Sequence, residues 1–364
     1  MVGIHRMAQK RRKEIVMYTR KDIVLAVDYH DKNLVVRSLN CHTGEERLLK
    51  RPTTPEAIAE LVDDSVHQAR EAGGGVFWIM ESTTGWARVK ALLGNRARLI
   101  MANVLQMPLP PKARRRKTDK IDTQRLLREF LNGSLPLAFQ PSAWFRQVRR
   151  VVSARESLVS RRTAVRNWIG RYLAHETWLP RTGLWSAKGM RWLRRLPETI
   201  DGPDRVVLWV KLDELEQLAG LLGPIEAEIL HIHGHWPAAQ RVDAIYGIAQ
   251  ISAVSILARI GPVERFTNAE QLISFAGLAP GIHQSDGTRR NGRIGGGGTD
   301  KHLRHYIIEA TLWARRIPRY RPTYERVERK RGKKIARLVV GRLLLRSIYK
   351  MLRAGVQFDR LPAA

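Results

Sequence analysis

The stretch IVLAVDYHDKNLVVRSLN, residues 23–40, decides the fold of the first third of this 364-residue chain. Two apolar runs, residues 23–27 and 34–39, flank the polar turn YHDKN, which is typical of two strands joined by a tight turn. A second turn, HTGEE, leads into a short strand at residues 47–49. The stretch and its continuation therefore predict a meander of β-strands.

Helices and strands alternate after this meander. Thr54 is predicted to cap a helix that begins at Pro55, and the glycines at 73–75 end it. The run 76–80 predicts a buried strand, followed by a short helix at 86–93 and a strand at 98–102. A meander followed by this alternation matches the ribonuclease H-like order, so we predict an α/β domain.

Carboxylates carry the candidate chemistry of this region. Asp28 closes the apolar run IVLAVD, Glu81 closes VFWIME, and Asp119 and Asp122 lie three apart in KTDKIDTQRLL. Residues three apart share a helix face, and a carboxylate at the end of a buried strand needs a partner or a metal. Hard divalent cations take carboxylate oxygens, and a pair of them can clamp both oxygens of a phosphodiester exchange. The pattern predicts a site for two Mg²⁺ ions.

The chain as a whole is strongly basic. It has 64 Lys and Arg against 34 Asp and Glu, a formal net charge of +30. This excess indicates a polyanionic partner, DNA or RNA rather than a membrane surface. The single cysteine, Cys41, excludes internal disulfides and a cysteine-based zinc site, which fits a reducing cytosol. No stretch is long and apolar enough to span a bilayer.

One basic run directly precedes the acidic pair. A run of this kind is often a solvated loop, but its position favours a role in steering a phosphate backbone into the site. The cations concerned belong to KARRRK, namely Arg114, Arg115, Arg116 and Lys117.

Residues 143–239 are predicted to be helical. Two apolar series with alternating three–four spacing indicate two long helices packed as a coiled coil, within or between chains. The series are Val151, Ala154, Leu158, Val165, Trp168 and Tyr172, and Leu208, Leu212, Leu215, Ala219, Leu222 and Ile229. His231, His233 and His235 do not share one helix face, which favours a solvated helix end over a metal site.

A different unit is predicted from residue 240 onward. IYGIAQISAVSILARIG resembles a helix–hairpin–helix, in which the amides of a helix start can hold a phosphate. Ser285 in HQSDGTRR has ordinary turn chemistry, and that chemistry alone favours a turn. Nearby Arg289, Arg290 and Arg293 nevertheless supply the cations that a phosphoryl-transfer serine needs. The tail predicts a basic amphipathic helix.

Taken in order, these motifs resemble the DEDD transposases of the insertion-sequence 110 family, the bridge-RNA-guided recombinases. The resemblance covers about residues 22 to 320 in two blocks. The first block contains VDYHDK, ESTTGW and KTDKIDTQRLL. The second contains GIAQISAVSILARIG, RFTNAEQLISFAGLAP, QSDG and KHLRHYIIEA.

The resemblance implies an α/β plus α architecture. It consists of a basic arm (1–21), a RuvC-like DEDD domain (22–142), a coiled-coil region (143–239), a small, mainly helical transposase domain (240–322) and a basic C-terminal helix (323–364). It further implies a bacterial, cytoplasmic, nucleoid-associated protein that works as a dimer or tetramer.

The same resemblance implies a mechanism. Asp28, Glu81, Asp119 and Asp122 would be Mg²⁺ ligands, and Ser285 the nucleophile that forms a covalent phosphoserine link to DNA. The family pairs the metal site of one protomer with the serine of another. A structured noncoding RNA base-pairs with donor and target DNA, and strand exchange inserts or excises the element.

Two segments depart from the family pattern, and two other functions stay open. GIAQ lacks a second glycine that is frequent in the hairpin, and GGGGTDKHLR replaces a compact basic segment.

A hydrolytic nuclease, such as a junction resolvase, would use the same acids with water and no serine. A non-enzymatic nucleic-acid binder would use only the hairpin and the basic helices.

Overall fold

The fold is that of a computed structural model, which describes residues 18–83, 85–107, 119–175, 183–279, 282–285, 288–291, 295 and 298–361. For residues 119–121, 282–285 and 288–291 the structure describes the backbone alone. The chain divides into two compact units, Met1–Gln140 and Pro141–Ala364.

The first unit is built on a five-stranded sheet with the order β3-β2-β1-β4-β5. Its strands are β1 (Ile23–Tyr29), β2 (Asn33–Asn40), β3 (Glu46–Pro52), β4 (Val76–Glu81) and β5 (Arg98–Ala102). Strand β2 runs antiparallel to β1 and β3, whereas β4 runs parallel to β1 and β5. The predicted meander and the alternation after it are confirmed, and β3 is longer than the sequence indicated.

Helices cover both faces of this sheet. Helices α1 (Pro55–Ala72) and α2 (Trp86–Leu93) pack on the face that carries Ile23, Leu25 and Val27. Helix α3 (Asp119–Leu131) packs on the opposite face. The predicted cap of α1 is confirmed, since the Ala57 amide donates to Thr54 Oγ1 at 3.2 Å.

Local contacts fix how the chain enters β1 and β4. The buried Asp22 carboxylate accepts a hydrogen bond from the Gly75 amide at 2.7 Å and one from the Thr19 amide at 2.5 Å. A Cβ at Gly74 would lie 1.9 Å from the Lys21 carbonyl oxygen, so only glycine allows this close approach. These contacts align the starts of the two strands.

The second unit is mainly helical. Its helices are α4 (Ala143–His175), α5 (Ala187–Arg195), α6 (Pro203–Gly234), α7 (Pro237–Asp243), α8 (Gln250–Ile260), α9 (Ala269–Phe275), α10 (Lys301–Ala314) and α11 (Arg321–Ala354). A short hairpin of β6 (Ile282–Ser285) and β7 (Thr288–Asn291) lies between α9 and α10 along the chain. None of the helices within the described ranges is long and apolar enough to cross a membrane.

The two predicted long helices, α4 and α6, are confirmed and pack against each other within one chain. The predicted contact series was partly wrong. Ala154 and Ala219 are exposed, whereas Val152 and Leu218 are buried in their place. The cause is the helical period: the apolar residues form a broad stripe, and the residues that face the partner helix lie one or two positions away from those chosen by their spacing in the sequence.

The end of α6 also differs from expectation. His233 was predicted to lie on a solvated helix end, but it is buried, and its Nε2 lies 2.7 Å from Asp243 Oδ2 at the end of α7. This pair fastens α7 to α6. The His231 and His235 rings contact each other at a ring-centroid distance of 4.5 Å and are tilted by 48°.

Candidate functional site

Asp28 and Glu81 lie at the same edge of the five-stranded sheet. Strands β1 and β4 are parallel, and their register ends with Val27 opposite Met80. The next residues along the two strands are Asp28 and Glu81. Since neighbouring strands lie about 4.8 Å apart, these acids occupy adjacent positions at the carboxyl ends of β1 and β4.

Both acids lie on the sheet face that α3 covers. Side chains alternate between faces along a strand, so Asp28 shares its face with Val24 and Ala26. By the same alternation Glu81 shares its face with Phe77 and Ile79. These four apolar residues belong to the core cluster that includes Leu126, Leu127 and Phe130 of α3.

Helix α3 runs antiparallel to β4, which brings its start to the acidic edge. Its penultimate residue, Phe130, contacts Phe77 near the start of β4 at a ring-centroid distance of 5.4 Å. From Phe130 back to Asp122 the helix rises about 12 Å. From Phe77 forward to Glu81 the strand extends about 13 Å. Because Leu126 and Leu127 also pack on this sheet face, we infer that the first turn of α3, which contains Asp119 and Asp122, lies toward the level of Glu81.

The surroundings of Asp28 limit its contact with water. Its side chain is 15% exposed, and its Oδ2 lies 3.1 Å from His30 Nε2. The loop after β4 packs on the adjacent Tyr29, because a Cβ at Gly85 would lie 2.6 Å from the tyrosine ring. His30 was not singled out from sequence, although its position two residues after Asp28 on the same strand face was a usable signal.

The acids suit a hard divalent cation by the chemistry of their donors. Carboxylate oxygens on one edge, on one face and at one level are the ligands that Mg²⁺ prefers. Among the described residues, no group of three or more His, Cys, Asp or Glu side chains is placed to hold a metal. Asp28, Glu81 and Asp122 are among those residues, whereas the side chain of Asp119 lies outside the described part of the chain.

Ser285 is the last residue of β6, directly before the hairpin turn. It pairs with Thr288, while Gln284 pairs with Arg289 and His283 pairs with Arg290. Directly opposite residues of an antiparallel pair share a face, and the face alternates along the strand. Ser285 therefore shares its hairpin face with Arg290, while Arg289 lies on the other face. The sequence had not separated these arginines.

The segments that flank this hairpin are held by contacts from three helices. They include Gly277, Leu278 and Gly295, and we call them the stem. The Asp300 amide donates to the Phe275 carbonyl at 2.7 Å, and Arg342 Nε donates to the Leu278 carbonyl at 2.7 Å. The Arg304 guanidinium lies against two glycines of the stem: a Cβ at Gly277 would approach its Nη1 to 3.0 Å, and one at Gly295 to 1.8 Å. Both glycines have positive φ.

Arginine and glutamate side chains connect this region to α4. The half-buried Glu156 accepts a hydrogen bond from Arg259 Nη2 at 2.5 Å through its Oε2. The same oxygen lies 3.1 Å from His302 Nδ1 at the start of α10. Burial lowers the pKa of Arg265 to about 10, and its guanidinium lies 4.4 Å from the ring centroids of Phe266 and Phe275. None of these contacts had a recognisable sequence signal.

Several predicted residues lie outside the described part of the chain. They are Arg114, Arg115, Arg116, Lys117 and Arg293, together with residues 1–17 of the basic arm. Their roles stay predictions.

Comparisons with known proteins bear on the second unit and on most of the chain. Residues 239–325 match the family model of the IS116/IS110/IS902 transposases. These residues include the hairpin and the helices α9 and α10 that flank it along the chain. The chain is similar to insertion-sequence transposases.

Named relatives agree with this match. A Pseudomonas aeruginosa protein whose name describes a family 20 transposase is 29% identical over 272 residues, covering 73% of this chain and 76% of the relative. The Coxiella burnetii transposase for insertion sequence element IS1111A is 28% identical over 218 residues, covering 57% of each chain. A Sinorhizobium fredii protein, also named as a transposase, is 22% identical over 370 residues, covering 97% of this chain and 91% of its own length. By the family model and by these names, the chain is similar to transposases of the IS110/IS116/IS902 type.

Proposed function

We propose that this transposase cuts and rejoins DNA through a phosphoserine intermediate, using an acidic Mg²⁺ site in its first unit and Ser285 in its second. The observation that supports the metal site best is the joint level of the strand-end acids and the start of α3. The observation that supports the serine is its position at the hairpin turn within the segment matching the transposase family.

Asp28, Glu81, Asp119 and Asp122 would hold the metal. When bound, Mg²⁺ polarises a phosphate and stabilises negative charge on its oxygens. The carboxylates themselves would fix the position of the ions, and His30 would restrain the Asp28 side chain through its 3.1 Å contact.

The proposed chemistry of Ser285 is an exchange of phosphodiesters. The serine Oγ attacks a DNA phosphorus, an Oγ–P bond forms, and the bond from that phosphorus to a deoxyribose oxygen breaks. The serine proton is lost and the leaving deoxyribose oxygen gains one, so no net proton is consumed. In rejoining, a deoxyribose hydroxyl of the partner strand attacks the phosphoserine and releases Ser285.

The residues around Ser285 have a supporting role in this proposal. Arg290, on the same hairpin face, would offset charge on the pentavalent phosphorus. A serine hydroxyl is a weak nucleophile and needs activation. The metal site of a partner protomer would supply it, which makes a dimer or tetramer part of the proposal. A structured noncoding RNA that pairs with donor and target DNA would choose the sites.

The test is a denaturing gel of the full chain incubated with labelled DNA, the guide RNA and Mg²⁺. We expect a covalent protein–DNA band that Ser285→Ala abolishes while DNA binding is kept. Ser274→Ala, at an exposed position on α9, is the matched control and should form the band. A band that persists in Ser285→Ala would reject this nucleophile.

The same gel distinguishes the hydrolytic alternative. Strand cutting without any band, abolished by Asp122→Ala but kept by Ser285→Ala, would identify a nuclease. Asp64→Ala is the control for the acids, because Asp64 is exposed on α1, on the opposite side of the sheet from α3. Binding of DNA with neither cutting nor a band would identify a binding protein.

A further inference from the structure

The C-terminal helix α11 is broken at one residue. Gly332 has φ 80° and ψ 167°, a conformation that is essentially restricted to glycine. No atom lies within 4 Å of the place where a Cβ would stand, so a side chain would have room. The glycine is therefore required for the backbone break alone and not for packing.

The break exposes a dense group of cations. All five charged residues in the six-residue segment RKRGKK are exposed, and we name residues 329–334 the basic break. No described residue forms an ion pair with them. The nearby acids of α11 have other partners: Glu325 pairs with Arg321 at 2.8 Å, and Glu328 accepts from the Tyr324 hydroxyl at 3.2 Å.

This arrangement is unfavourable for the protein alone. Like charges within a few residues of each other repel, and Lys333 and Lys334 stand at the start of a helical segment, where the backbone already carries partial positive charge. A polyanion bound at the segment would reverse both effects. The residues from Ala336 onward are packed into the core, so the basic break is held in a fixed place on the second unit.

We propose that the basic break is a docking surface for the backbone of duplex DNA. A duplex carries one negative charge per about 1.7 Å of its axis, and the five exposed cations of the basic break complement this dense negative charge. The segment contains no aromatic side chain on which unpaired bases could stack, so it is suited to phosphates rather than to single-stranded RNA. The inference rests on the proposed function, because it takes DNA as the substrate.

The first test compares two triple variants of equal charge. Lys330→Gln/Lys333→Gln/Lys334→Gln removes cations of the basic break. Lys188→Gln/Arg191→Gln/Arg195→Gln removes exposed cations of α5 in the same unit. Each is titrated with a random-sequence DNA duplex over a range of salt concentrations. The first variant should lose at least about tenfold in affinity and lower the salt slope by about 2 to 3, and the control should keep both.

A single substitution then tests the break itself. Gly332→Ala keeps every cation but strains the observed backbone, so we expect about three- to tenfold weaker DNA binding by a chain that is still folded at the assay temperature. Wild-type affinity would show that the break does not present the cations.

The remaining outcomes separate this surface from the proposed function. Equal losses for both triple variants, or an unchanged first variant, would overturn the docking surface. An equal or larger loss on an RNA duplex of the same length would overturn its assignment to DNA. If the wild type formed no covalent band and bound no DNA, the proposed function would fail as well. If the first triple variant bound DNA normally while Ser285→Ala still lost the band, only the inference about α11 would fail.

Discussion

Glu81→Gln should stabilise the metal-free protein while abolishing its metal response. Asp28 and Glu81 occupy adjacent positions on parallel strands, about 5 Å apart. Two like charges separated by this strand spacing would repel by about 3 kcal/mol at an effective dielectric constant of 20. His30 beside Asp28 and partial exposure of the site reduce this repulsion. We expect a net gain of about 1–2 kcal/mol in the free energy of unfolding.

Differential scanning calorimetry with a chelator present measures this gain. A stabilisation of this size corresponds to a rise of about 3–6 °C in Tm for a unit of this length. Added Mg²⁺ should then raise the free energy of unfolding of the wild type by about 2.7 kcal/mol at one hundred times Kd, and its Tm accordingly, and leave the variant unchanged.

A charge control makes the result specific. The chain has a formal net charge of +30, so removing a negative charge elsewhere should be neutral or destabilising. Asp64→Asn, at an exposed position of α1, makes the same charge change away from the acidic edge. The reasoning would be refuted if Glu81→Gln lowered the metal-free Tm, or if Asp64→Asn raised it equally.

Three further outcomes follow from the second unit. Arg304→Lys should slow formation of the covalent band and leave DNA affinity unchanged, because a lysine retains the charge but not the planar group against the stem glycines; single-turnover rates measure this. Val210→Glu, at a 58% exposed position on α6, should lower the oligomeric mass in light scattering without unfolding the chain. Tyr320→Phe should cost about 1–3 kcal/mol in urea unfolding, because the buried Ser347 hydroxyl loses its 2.7 Å partner. Burial raises the pKa of Tyr320 to about 12, so the wild type should lose more stability than the variant between about pH 10 and pH 12.

The first unit followed closely from the sequence, because its signals are local. Alternation, turn residues and a Thr-Pro helix start act within a few residues of each other, and they predicted the ends of α2 and β5 as the structure has them. The strand-end acids were found for the same reason. What sequence alone did not give was the direction of α3, which depends on the contact between Phe130 and Phe77.

The second unit was less predictable because its specificity is tertiary. Because the apolar stripe is broad, the sequence did not determine which residues of α4 and α6 face each other. Leu215 of the predicted series is 4% exposed within a single chain, so Leu215→Arg would test folding and not assembly. The contact of Arg304 with Gly277 and Gly295 joins positions that sequence spacing does not relate.

The position of the acidic pair is set at the other end of its helix. The apolar residues Leu126, Leu127 and Phe130 fasten α3 to the sheet. This packing positions the first turn of the helix, which contains Asp119 and Asp122. The same holds for the strand acids, since the contacts of Asp22 with Gly75 and Thr19 align the strands at their starts. Carboxylates that repel one another contribute nothing to holding themselves together. A site of this kind is therefore built by apolar packing and hydrogen bonds at the far ends of its helix and its strands.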